Sequence, residues 1–397
     1  MEGPMREGDA MRVTRRDLGN AALVGAAARL APAAAQQQSR WNPLVPGTQA
    51  PEAKEWMDRP DTKPSQLAPA DPFAPGAGIG IGHRFPPQPE PEVFDFYRAS
   101  GIEYGSVLAR LGEVNYDWMA RMKERMEKRG VRLLNVNVVG LHCDPVIVLG
   151  LSGVEEKLEL YRQFLRDAGK AGIPYTTYGH MANLRLRYGV TARVPTRGQR
   201  ARQFDANVAT SFPLSHDRRY SEDEIWDSFT RFAHAVVPVA EDAGVRIGLH
   251  PDDPPLPSLG GVARVFRNYE GYRRALEITD SPNFGYCFCM GTWAEGGEST
   301  GKSVIEMIRE FAPQGKIFKV HFRNVDRPMP RFTETFVDDG YIDMIQALRE
   351  LRKANFNGVI VPDHVPGMKP MGDSNTAYTV GYMRALRDLI NREFAEG

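Results

Sequence analysis

Gly248-Leu249-His250-Pro251-Asp252-Asp253-Pro254-Pro255 is the stretch on which the fold turns. The apolar run from Val245 to Leu249 reads as a strand, and it delivers a histidine at its C-terminal end. Proline gives no N–H to a sheet and blocks a helix interior, so the strand must stop near His250. Three later strands stop in a similar way: Phe284–Cys289, Ile317–Val325 and Gly358–Pro362, the last followed by Asp363 and His364.

Upstream the same rhythm holds. Strands are predicted at Gly78–Arg84, Tyr104–Leu108, Val131–Val139 and Tyr175–Met181, with helical spacing between them. Asn115 should cap one helix, and Ser152 with Glu155 and Ser221 with Glu224 read as capping boxes for two more. Counting through to the last helix, near Tyr378 to Phe394, gives eight strand–helix units. Eight is the number that closes a parallel (β/α)8 TIM barrel. No glycine-rich dinucleotide fingerprint or phosphate-cradling loop occurs. One segment breaks the rhythm: Ala182 to Tyr220 reads as a long irregular loop carrying Arg185, Arg187, Arg193, Arg197, Arg200 and Arg202.

Composition narrows the class. The 50 Lys and Arg residues balance 50 Asp and Glu, which argues against a general nucleic-acid binder. The three cysteines are too few for a disulfide framework, and Cys287 and Cys289 share one strand face, which keeps them from bridging each other. Residues 1–35 read as a twin-arginine-type export signal: Thr14-Arg15-Arg16-Asp17-Leu18, an apolar stretch from Ala21 to Leu30, and Ala33-Ala34-Ala35 as a cleavage site. The expected location is the periplasm or beyond. Residues 36–74 are a Pro/Gln-rich linker or arm, and 75–397 the barrel domain. No later apolar run is long enough to anchor the chain in a bilayer. A homo-oligomer is compatible with all of this.

Period-two alternation sorts the strand residues. Ile247 and Leu249 face the helices, so Gly248 and His250 face the barrel. Tyr286 and Phe288 face out, so Cys287 and Cys289 face in. Phe318, Val320 and Phe322 face out, leaving Lys319, His321 and Arg323 inside. Val359, Val361 and Asp363 share a face, with His364 next in line. The ends of four consecutive strands therefore carry His250, Cys289, His321 and Asp363, at the face where barrel active sites lie. Two imidazoles, a sulfur and a carboxylate suit Zn, Fe or Mn better than Ca or Mg.

These residues carry a family resemblance. His250-Pro-Asp-Asp-Pro-Pro255, Cys289-Met-Gly-Thr292, His321-Phe-Arg-Asn-Val325, Phe332-x-Glu334 with Asp339-Gly-x-x-Asp343, and Pro362-Asp-His364 together resemble the motifs of the mannonate dehydratases. The resemblance runs from about Gly78 to the C-terminus. It implies a xylose-isomerase-like barrel with His250, Cys289, His321 and Asp363 holding Mn(II), or alternatively Fe(II) or Zn(II). The implied activity is dehydration of a sugar acid, D-mannonate to 2-keto-3-deoxygluconate. His364 matches a proposed acid/base. Arg323, facing inward, has two roles open to it: neutralising the substrate carboxylate, or an ion pair inside the barrel. Two departures stand out. The family's Trp-Thr-Arg-Thr stretch is replaced by Met181-Ala-Asn-Leu-Arg185. Its tyrosine-bearing segment after Pro-Asp-His is replaced by Pro370-Met-Gly-Asp-Ser374, with Tyr378 and Tyr382 nearby.

Three other readings compete. A sugar isomerase or epimerase on this barrel would bring glutamates to strand ends, and the sequence shows none there, Glu334 being in a loop. A repair endonuclease would need a basic groove. An exported sugar-acid-binding protein would use the metal site without turnover.

Overall fold

The computed structural model describes residues 67–182, 186, 189–368 and 374–395. The export signal, residues 36–66 of the arm, Arg185 and Arg187 lie outside the described residues. All described residues belong to one unit, Pro64–Gly397.

Eight parallel strands form a closed barrel: β1 (Ile79–Phe85), β2 (Tyr104–Arg110), β3 (Arg132–Val139), β4 (Tyr175–Gly179), β5 (Arg246–His250), β6 (Phe284–Cys289), β7 (Ile317–Phe322) and β8 (Gly358–Pro362). Around the ring they run β1-β8-β7-β6-β5-β4-β3-β2. Each later strand begins close to its predicted start, because the punctuating turns are explicit in the sequence. Ser221 and Glu224 form the expected capping box, as do Ser303 and Glu306. Ser152 does not cap its helix. That helix starts at Val154 behind Gly153, whose φ of 88° turns the chain in. Only glycine enters that left-handed region at little cost.

The alternation holds on β5 and β6. Ile247, Leu249, Tyr286 and Phe288 join the core between barrel and helices. Gly248 is needed because a Cβ there would fall 2.2 Å from the inward hydroxyl of Tyr175. On β7 one assignment is corrected. Tyr286 opposes Ile317 but Cys287 opposes Lys319, so Phe318 is the extra residue of a β-bulge. The bulge turns Phe318 into the barrel, where it packs with Tyr104, Leu134, Tyr175, Val359 and Val361. Lys319 and His321 keep their inward positions beyond it.

The arm's last residues are seated on the barrel. Phe73 meets Tyr175 and Phe318 with ring centroids 5.9 and 5.7 Å apart, under the Arg246 guanidinium at 4.5 Å. Tyr104 Oη and Arg132 Nε donate to the carbonyls of Pro69 and Ala68 at 2.9 Å each. Phe73→Ala should cost about 2 kcal/mol, less than a fully buried Phe, and lower Tm by a few degrees. An unchanged melting curve would show that this segment is a passenger.

Candidate metal centre

His250 closes β5 with its ring turned inward. Its Nδ1 lies 2.7 Å from the Pro251 carbonyl, which only accepts, so Nδ1 carries the proton and Nε2 keeps a lone pair. That Nε2 is 3.2 Å from Nδ1 of His321 on β7, whose own Nε2 faces the Cys287 sulfur at 3.3 Å. Cys289 ends β6 and caps the helix Met290–Gly296, its sulfur accepting from the Thr292 N–H at 3.5 Å. The donor atoms of His250, Cys289 and His321 all lie within 4.8 Å of one another. Oδ2 of Asp363, just past β8, is 3.6 Å from His321 Nδ1 and 3.7 Å from Cys289 Sγ. The structure thus brings together all four residues expected from the sequence.

The donor chemistry fits a divalent cation. Burial presses both imidazoles below their ordinary range, which keeps them neutral with lone pairs to give. Burial alone would raise the Asp363 carboxyl, but neighbouring positive charge, with Arg323 3.5 Å away, holds it well below the usual range, as a carboxylate. Burial pushes the Cys289 thiol up, so a cation bound there must displace its proton.

Arg323 takes the second of its two possible roles, the ion pair inside the barrel. It is 1% exposed and enclosed by the protein's own acids, which leaves it out of reach of a substrate carboxylate. Its guanidinium lies 2.7 Å from Glu295, 3.0 Å from Glu334, 3.3 Å from Asp253 and 3.5 Å from Asp363, and it donates to the Thr292 hydroxyl at 2.8 Å. Burial would depress its pKa, but Glu295, Asp253 and Asp363 hold it well above the ordinary value. Alternation told which way Arg323 points, but not how many carboxylates converge on it.

Two of those acids were not expected at the site. Glu334 is 5% exposed and places Oε1 2.9 Å from Nδ1 of His364. Its strand, Arg331–Thr333, pairs with Gln199–Asp205 and carries it over the barrel mouth. Glu295 sits on Met290–Gly296, fully buried, and burial pushes its carboxyl well above the usual range. The sequence signal was faint: a glutamate between Trp293-Ala294 and a glycine pair, where no polar face could form. No barrel strand ends in a glutamate, as expected, but these two reach the site from a helix and from the segment after a short strand.

His364 sits at φ 48°, a left-handed conformation that costs energy outside glycine and marks functional positions. Its Nδ1 is also 2.7 Å from Nη1 of Arg323, and its Nε2 is 3.2 Å from Nη1 of Arg202 and 3.7 Å from Asp363. Arg202 comes from the supposedly irregular segment, which instead contains an antiparallel hairpin, Ala192–Thr196 with Gln199–Asp205. Phe204 stacks on Phe332 at 5.3 Å, sealing the hairpin against the mouth. Beneath it lies a cavity lined by Arg202, Asp253, Glu295 and Glu334, among others, with about 10 Å³ for the centre of a water. Arg197 instead pairs with Asp338, which also accepts from the Tyr378 hydroxyl at 2.6 Å. Tyr382 packs against the core. Both tyrosines are thus taken up by the scaffold.

Fold and donor set place the chain among the (β/α)8 barrels whose site residues fit a divalent cation. Its backbone matches a xylose isomerase domain protein from Planctomyces limnophilus with a TM-score of 0.54 at 12% identity, covering 81% of this chain and 100% of that one. The family model for D-mannonate dehydratase (UxuA) matches residues 213–392. Mannonate dehydratase 2 of Halalkalibacterium halodurans is 30% identical over 269 residues, 61% of this chain and 76% of that protein. The mannonate dehydratase of Streptococcus suis serotype 2 superposes with a TM-score of 0.71 at 23% identity, covering 80% of this chain and 95% of that one. The chain belongs to the mannonate dehydratase family.

Proposed function

We propose that this protein is a hydro-lyase that removes water from a sugar acid, converting D-mannonate, or a related aldonate, to the 2-keto-3-deoxy acid. The observation that carries this reading is the convergence of His250, Cys289, His321 and Asp363 beside His364, in a chain of this family. A bound Mn(II), with Fe(II) or Zn(II) as alternatives, would supply Lewis-acid stabilisation of the charge that develops as the C2 proton leaves. The rest is proton handling. The C2–H pair becomes the C2=C3 bond of an enol, the C3 hydroxyl leaves as water after taking a proton, and the enol relaxes to the ketone. His364 is the carrier for one of these transfers, with Glu334 fixing its ring from the Nδ1 side.

The test is a panel of aldonates and uronates with Mn(II)-loaded protein, assayed for 2-keto-3-deoxy acid. D-Mannonate should turn over, and His364→Ala should lower kcat about 10²–10⁴-fold, the usual worth of a positioned acid/base. Turnover that survives His364→Ala intact would remove it from the chemistry. One observation favours a second reading: Glu334 and Glu295 bring two buried carboxyl groups to the site, a residue type that a sugar isomerase or epimerase uses to carry protons. Such an enzyme would return an isomer of unchanged mass instead of a product lighter by one water.

Export is proposed on the Arg15-Arg16 motif and the small-residue site at Ala33-Ala34-Ala35. Changing Arg15 and Arg16 to lysine should trap the protein in the cytoplasm at its full length. Equal fractionation of both forms would dismiss the signal.

A further inference from the structure

With Arg323 enclosed, the anionic end of the substrate needs another cation. β1 carries one. Ile79, Ile81 and Phe85 pack toward the helices. Gly80 and Gly82 face the interior, where an added Cβ would fall 2.5 Å from Tyr104 and 2.8 Å from Val359. Arg84 is the next residue on that inward face, at the C-terminal end of the strand, and β1 lies beside β8, which leads into Asp363 and His364.

Arg84 is exposed, and its guanidinium makes no hydrogen bond or ion pair to another described residue. It stands at the carboxyl end of β1, the end of the barrel that carries His250, Cys289, His321 and Asp363. It therefore sits over the same mouth as the metal ligands. The adjoining strand ends add an apolar flank. Leu108 on β2 and Val139 on β3 alternate with helix-facing neighbours, so they point inward, and they remain 39% and 51% exposed. Exposed apolar side chains on β2 and β3, on the same side of the barrel as a β1 guanidinium that pairs with no other described residue, suit a ligand with a carboxylate at one end and carbon–hydrogen surface along its chain.

We propose that Arg84 anchors the substrate carboxylate and so selects sugar acids over neutral sugars at this site. The inference rests on the sugar-acid reading above. Its geometry is that of a charge-assisted, two-pronged contact, for which lysine is only a partial substitute.

The test compares full-length, Mn(II)-loaded wild type, Arg84→Met and Arg84→Lys. Binding of D-mannonate and the other aldonates, and of the neutral D-mannitol as control, is measured by calorimetry, and turnover of D-mannonate by product formation. Arg84→Met should raise the aldonate Kd and KM about tenfold or more, with a smaller change in kcat, and Arg84→Lys should recover part of the loss. D-Mannitol binding should not change, and the wild-type KM should rise with salt more steeply than that of Arg84→Met. Kd and KM within twofold of wild type for Arg84→Met would overturn the proposal. If wild type binds aldonates but forms no keto-deoxy acid, the dehydratase reading fails while the Kd ratio still decides the role of Arg84. If wild type binds none of the aldonates, both readings fall.

Discussion

Replacing Cys289 by serine should strip the site of its cation and lower turnover about a thousandfold, because metal-borne charge stabilisation is worth several kcal/mol. Serine nearly matches the volume of cysteine but offers a hydroxyl that stays protonated near neutrality, so a donor is lost while the fold is kept. Cys289 is fully buried at the end of β6, and its neighbours need no rearrangement to accept the change. The readouts are metal content after dialysis, turnover, and circular dichroism as a check on folding. Metal loss with native dichroism is the expected combination. Stoichiometric metal with full turnover would mean that the two imidazoles and Asp363 suffice and that the sulfur only fills space.

Arg323→Met is expected to act on stability first. It leaves Asp253, Glu295, Glu334 and Asp363 facing one another without the cation that joins them. Removing one partner from a buried ionic cluster costs about 3–5 kcal/mol. For a domain of this size that is a drop in Tm on the order of 10 °C. The sign with pH is also set. Without the guanidinium, the crowded carboxyls rise in pKa in the folded state, so the folded variant holds more protons than the unfolded chain. Stability then falls as pH rises above the unfolded carboxyl value of about 4. The variant should therefore melt lower at pH 8 than at pH 5, by a wider margin than wild type. A Tm within 2 °C of wild type, with the same slope against pH, would show that the network does not need its arginine.

The limits of what the sequence discloses are visible strand by strand. His250, Cys289, His321 and Asp363 were readable because each stands at or just beyond a strand end, where alternation fixes the side-chain direction and turns fix the stop. Phe318 was misread because a bulge depends on the register between β6 and β7, which is a property of two strands. The hairpin over the mouth was hidden because its strands are polar on both faces. Its anchor, Phe204 against Phe332, joins segments well over a hundred residues apart.

By itself the sequence determined the eight-unit alternation, the parallel barrel it closes, and the placement of His250, Cys289, His321 and Asp363 at its carboxyl face. These depend on local periodicity, proline and glycine punctuation, and a handedness that every βαβ unit shares. Only the tertiary structure decided which charges are satisfied. It enclosed Arg323 among four carboxylates, brought Glu295 and Glu334 to the site, and set Arg202 against His364. A charged side chain carries no record in sequence of its partners. Pairing is settled by distances of a few ångströms between segments far apart along the chain, and those distances exist only once the barrel has closed.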